Sequence, residues 1–193
     1  MLLRITLMLL LLSWHPPTRA DAAAVASSEP AEVAALRSDR SQSAETLLAK
    51  LETWGKAAPT PLAGGWAKLA MGEFYDELEQ PDRAYELLNA AVSVADSEGA
   101  RDLSMAANSR LASMYANRGD STRAAGVLEV MEGLARQSGR RDWQALWAYN
   151  RGVMERKLGQ FPEAMQFFAQ SAEDARAGGQ WNAFSEIAVK RVL

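Results

Sequence analysis

With 193 residues, a formal charge of −3 and no cysteine, the chain can build one domain with a core but carries no basic stripe for nucleic acid. An apolar share of 48% argues against wholesale disorder. That share leans on Ala and Leu rather than Ile and Val, which favours helix over strand.

The first 22 residues read as a secretory signal peptide. MLLR is a short basic start, ITLMLLLLSW is an apolar run too short to span a bilayer, and Ala20 and Ala22 stand in an A-x-A arrangement. Cleavage is expected after Ala22, with Ala20 the alternative; a buried N-terminal helix and an uncleaved membrane anchor are the competing readings. No Cys lies near the cut, which excludes a lipoprotein anchor. The single histidine, His15, leaves with the signal. What remains has neither imidazole nor thiol, so Cys–His and Ser–His–Asp catalysis and the usual zinc sites are excluded. Export also brings no disulfides. The expected product is an exported, periplasmic, non-catalytic protein with no cofactor and no catalytic or metal site.

Residues 23–40 read as a flexible N-terminus in which PAEVAALRS is a short helix and possible cap. From 41 to 193 the chain reads as an all-α solenoid. SAETLLAKLETW gives a degenerate unit at 41–55, and GKAAPTPLAGG, Gly55 to Gly65, is expected to be a Pro- and Gly-rich loop. Full units follow at about 62–101, 102–141 and 142–181, with a partial unit at 182–193.

These units share a register of forty residues without a gap. Gly72, Ala112 and Gly152 align, as do Ala84, Ala124 and Ala164, then Leu88, Leu128 and Phe168. Gly99, Gly139 and Gly179 suit helix C-termini, and Asp102, Asp142 and Asn182 are expected N-caps of the helices that follow. Within each unit a short turn separates two helices. It reads ANRGDST around Gly119 and RKLGQFP around Gly159, with Pro162 in the first turn of the next helix. The first unit writes it LEQPDR, with Pro81 in place of the glycine. In the third unit Ala148, Gly152, Met154 and Leu158 line one helix, and Ala164, Phe167, Phe168 and Ser171 the other. Gly152 and Ala164 are expected to let the two backbones approach closely, with Phe168 filling the space between units. One helical pair cannot bury these faces alone, so neighbouring units must stack.

The stretch NAFSEIAVKRVL begins a further unit, with Phe184, Ile187, Val189, Val192 and Leu193 leaving apolar surface for something to dock on. Further repeats or a downstream domain are expected at that end.

Residues at these positions resemble the tetratricopeptide repeat family, over roughly Ser41 to Leu193. Its small, aromatic, turn-glycine, small and large-apolar positions are met by Gly72, Tyr75, Ala84, Leu88 and Ala91, then Leu111, Ala112, Tyr115, Gly119, Ala124 and Leu128. In the third unit they are met by Gly152, Gly159, Phe161, Ala164 and Phe168. Glu155 and Met131 depart from the pattern. The unit is longer than the family's usual ~34 residues, which is similar to the repeats of kinesin light chains and several bacterial signalling proteins. The resemblance implies a right-handed superhelix of antiparallel helical pairs, with ligands on a concave face made by the first helix of each pair. That face would carry Trp66, Leu69, Glu73 and Asp76, then Ser109, Arg110, Ser113 and Asn117, then Tyr149, Asn150, Val153, Arg156 and Lys157. Such a groove would run from acidic to basic and cradle an extended peptide or a partner's loop. Only Arg110 and Asn150 fall near the carboxylate clamp of chaperone-binding members, so that activity is not implied.

Other features are explained without a ligand. Glu73, Asp76, Glu77 and Glu79 splay around a helix and lack calcium-loop geometry. Arg136, Arg140 and Arg141 suit a helix C-terminus. Gly64-Gly65 and Gly178-Gly179 precede no GK[ST] phosphate signature. Trp54, Trp143, Trp147 and Trp181 read as packing, and Trp66 as a groove anchor. Two functions are expected from this reading. One is a scaffold for a protein or peptide partner; the other is the exported sensory segment of a larger membrane signalling enzyme, a diguanylate cyclase or sensor histidine kinase.

Overall fold

A computed structural model describes residues 29–178. The signal peptide, Gly179, Trp181 and the partial unit from Asn182 lie outside the described residues. Within them are eight helices and no strand: α1 Ala31–Ser38, α2 Ala44–Lys56, α3 Pro61–Glu77, α4 Pro81–Glu98, α5 Arg101–Asn117, α6 Ser121–Ser138, α7 Arg141–Lys157 and α8 Phe161–Ala177. Each helix packs on the next, and α1 also meets α3, α3 meets α5, and α5 meets α7. The odd-numbered helices therefore lie side by side. Helices α3, α5 and α7 start forty residues apart, and so do α4, α6 and α8.

The turns explain why the bounds repeat. Glu79, Gly119 and Gly159 take left-handed φ values of 57°, 78° and 78°. Each lets the next amide reach back along the helix: Gln80 N–H donates to Tyr75 C=O at 2.8 Å, Asp120 to Tyr115 at 2.9 Å, and Gln160 to Glu155 at 2.9 Å. These bonds satisfy carbonyls the helix end leaves open. Pro81 thus does not replace the glycine device. The first unit keeps the same backbone and forces a glutamate into it.

Between units, Gly99 and Gly139 close α4 and α6 in the left-handed conformation, as expected. The helices that follow start two residues earlier than the sequence suggested. Ala100 and Arg140 occupy the cap positions without side-chain bonds, and Asp102 and Asp142 sit in the first turn. There the carboxylates face the positive end of the helix dipole, and Arg140 donates to both at 2.6 Å. Burial would raise the Asp142 carboxyl, but Arg140 beside it holds it below its usual range.

The expected loop from Gly55 to Gly65 is mostly helix. Helix α2 runs through Lys56, and α3 starts at Pro61 with the Thr60 hydroxyl accepting from Ala63 N–H at 3.1 Å. Gly65 is a packing notch: a Cβ there would lie 2.7 Å from Leu103 Cδ2 and 2.8 Å from Val94 Cγ1. Gly72 and Gly152 are notches of the same kind, where a Cβ would stand 2.8 Å from Leu88 Cγ and from Phe168 Cδ1 respectively. Phe168 therefore fills the space inside its own pair rather than between units. Leu158, expected to line α7, is instead 49% exposed just past the end of that helix.

The core runs continuously through the array from Val33 on α1 to Phe168 on α8. Leu69, Leu88, Leu103 and Leu128 are fully enclosed in it. Each contributes about 1.5–3 kcal/mol of burial, so every helix is held chiefly by its neighbours.

Candidate functional groove

Helices α1, α3, α5 and α7 together wall a groove of about 720 Å³. Most of the residues that line it carry polar or charged groups, with Arg37, Arg40, Glu73, Arg110, Tyr149 and Asn150 prominent among them. Helical spacing explains this, because each odd helix buries one stripe against its pair and turns another toward the groove.

Glu73 anchors the N-terminal half of the groove. It is almost fully buried on α3, between Gly72 and Phe74. Arg37 of α1 grips its carboxylate through Nε and Nη2, the latter at 2.8 Å, and Arg110 of α5 donates from Nε at 2.6 Å. Three successive odd helices are thereby tied through one carboxylate. Arg37 in turn donates to Glu29 at 3.1 Å. Burial by itself would raise the Glu73 carboxyl, but the two guanidiniums outweigh it and hold the carboxyl below the ordinary glutamate value. Glu73 and Glu29 in turn raise Arg37 against its own burial.

At the other half, Asn150 of α7 is buried and donates to Ser109 Oγ and to Leu146 C=O, both at 2.9 Å. Asn150 holds the register position of Arg110. Ser113 also lines the groove.

Of the residues the sequence singled out, the structure brings Glu73, Arg110, Ser113, Tyr149 and Asn150 together on the groove, with Ser109. The others lie elsewhere. Trp66 is packed into the core with its indole N–H unpartnered, so it is no surface anchor. Asp76 pairs with Arg118 at 3.3 Å. Asn117 is exposed at the end of α5, its amide 3.5 Å from Ser113 Oγ. Arg156 and Lys157 fall in the last turn of α7 and do not line the groove. In place of the expected acidic-to-basic gradient there is neutralised acid: Glu73 and Asp76 are already paired, and Arg156 and Lys157 are not among the lining residues.

Sequence reasoning missed Arg37, Arg40 and Glu29. It treated residues 23–40 as a flexible lead and cap, whereas α1 supplies one groove wall. A signal was present in the forty-residue register, which lays Ala31–Ser38 over the second half of α3. Among the described residues no group of three or more His, Cys, Asp or Glu could hold a metal ion, and no helix is long and apolar enough to cross a membrane. No family model matches the sequence, and no curated protein or solved structure matches it either.

Proposed function

We propose that this chain is a non-catalytic scaffold of the tetratricopeptide-repeat type, an α-solenoid of helical pairs that binds a protein or peptide in the groove of its odd-numbered helices. The observation that carries this reading is the groove itself. It is shared by four helices, and its guanidinium and amide groups suit recognition of a peptide chain. The repeat reading is supported by helix bounds and turn hydrogen bonds that recur at forty residues. Export to the periplasm rests on the first 22 residues alone.

A photocrosslinking amino acid placed at Ser113 and, separately, at Gly126 on the exposed side of α6 tests the groove. The proposal expects one specific adduct from Ser113 in the exporting cell and none from Gly126. Equal labelling from both positions, or none from Ser113, removes the groove from the account.

A second reading, in which this chain is the sensory part of a longer signalling protein, takes its support from exposed apolar side chains on α8. Tyr85 on α4 is stacked on Tyr115 of α5 at 4.9 Å, whereas Met165, which holds the equivalent position on α8, is 58% exposed. Phe161 is 62% exposed beside it. A further unit or downstream domain would cover them as α5 covers Tyr85. Reading the gene past Leu193 separates the two: an apolar run of about twenty residues followed by a catalytic domain establishes the second.

A further inference from the structure

We infer that α1 is a releasable cover, one that opens ahead of the rest of the array and uncovers the Trp66 indole to the groove. Two ion pairs fix how it lies. Arg37 meets Glu73, and Arg40, just past the end of α1, meets Glu77. Both numbers rise together, so α1 runs parallel to α3. Trp66 lies seven residues before Glu73, about 10 Å back along α3. Seven residues before Arg37 is Pro30, so the start of α1 stands level with Trp66.

The register places Trp66 on the groove side of its helix. Ala106 and Leu146 hold the same position on α5 and α7, and both line the groove. Trp66 is only 5% exposed, and its indole N–H is buried without a partner. A buried donor left unpaired is a standing cost of the covered arrangement, and water would satisfy it on opening.

Little holds α1 down. It has eight residues, too few for a helix to persist alone in water. Pro30 caps it without a side-chain bond, and it ends at Asp39 in extended backbone. Val33 is its one buried residue, where α3 buries nine and α5 eleven. Arg37 donates to Glu73 at 2.8 Å and to Glu29 at 3.1 Å. Glu29 leads into α1 and would move with it, so Arg37 grips α3 through Glu73 alone. Helix α3 is packed on α2, α4 and α5 besides, and does not need α1 to stay folded. An element with so few buried groups opens locally while its neighbours remain in place. The hinge falls between Ser38 and Asp39. Beyond it, Asp39 accepts from Ser41 N–H at 2.7 Å and from Gln42 Nε2 at 2.6 Å, bonds that stay within the linker to α2.

Native-state hydrogen exchange of the intact protein by NMR tests this, with the Trp66 indole signal assigned through Trp66→Phe. The indole proton and the amides of Leu36 and Arg37 should share one level of protection, at least tenfold below that of the Leu69 and Leu103 amides. Low urea should hardly change exchange at the indole and on α1, because a local opening exposes little surface, and should speed it steeply at Leu69 and Leu103. Arg37→Gln should lower the protection of the indole and of the α1 amides by the same factor, about tenfold. An indole proton protected as strongly as the Leu69 amide, or with as steep a urea dependence, overturns the inference. So does an Arg37→Gln variant in which α1 exchanges faster and the indole does not. No ligand takes part in these measurements, so their failure would leave the peptide-binding reading standing.

Discussion

Glu73 and Val153 hold the same register position, on the first helix of the first and third full pairs, and both are buried. On α3 that position is a carboxylate tied to Arg37 and Arg110. On α7 it is a valine with no charge to satisfy. A similar divergence appears at the turns, where Glu79 adopts the left-handed backbone that Gly159 adopts in the third pair. At the outer edge Arg83 and Arg123 lie over Tyr75 and Tyr115 in the first two pairs. In the third pair the tyrosine's place is taken by Glu155, which pairs with Arg151 at 2.6 Å. A shared backbone register therefore fixes where side chains stand and leaves their chemistry free to vary from one pair to the next.

Breaking the charged level should cost the most. Glu73→Gln leaves two guanidiniums without their carboxylate and should lower stability by about 2–3 kcal/mol, below the figure for a fully buried pair because both arginines reach solvent. Val153→Ala removes only packing and should cost about 1–2 kcal/mol. Urea denaturation of both variants measures the difference. Acid sharpens the contrast. Because the folded Glu73 carboxyl lies below its ordinary value, its contribution is present above an unfolded pKa of about 4.3 and is lost as pH falls through the folded value. A stability profile between pH 6 and pH 2 should flatten in Glu73→Gln and keep its slope in Val153→Ala.

The notches come next. Gly72→Ala and Gly152→Ala put a methyl within 2.8 Å of Leu88 and Phe168, and each should cost about 1–2 kcal/mol through overpacking. Gly126, on α6 with nothing within 4 Å of a new Cβ, is the internal control. Its change to Ala should stabilise by about 0.5–1 kcal/mol, so a thermal melt in which all three substitutions behave alike would contradict the notch assignment.

The smallest effects belong to the turns. Gly159→Ala should cost about 1 kcal/mol. Glu79→Gly relieves the same strain and should be neutral or stabilising by up to about 1 kcal/mol, since the freer unfolded chain offsets part of the gain. Melting temperatures that move in the same direction for both would contradict a shared turn geometry.

The sequence made the register legible because turn glycines, small notch residues and large core residues recur at one spacing. It misled where a residue type has two physical uses. Gly64-Gly65 reads as loop punctuation, yet Gly65 is a helical notch against Leu103 and Val94. Asp102 and Asp142 read as caps, yet capping falls to Ala100 and Arg140, which carry no side-chain signature. About half the groove was foreseen, because odd-helix positions follow from spacing. Arg37 was not, because its role depends on a partner 36 residues away. Arg156 and Lys157, assigned to the groove by repeat position, fall in the last turn of α7 outside its lining, because charge near a helix end says nothing about which wall it faces.

The central claim is that the odd-helix groove is the recognition surface. Amide chemical-shift mapping with a peptide selected from a random library on the full chain tests it most directly. Shifts concentrated at Ser109, Arg110, Ser113 and Asn150, with α4 and α6 unmoved, are the predicted result. Shifts gathered instead on the exposed side of α6, or around Leu158, Phe161 and Met165, would contradict it.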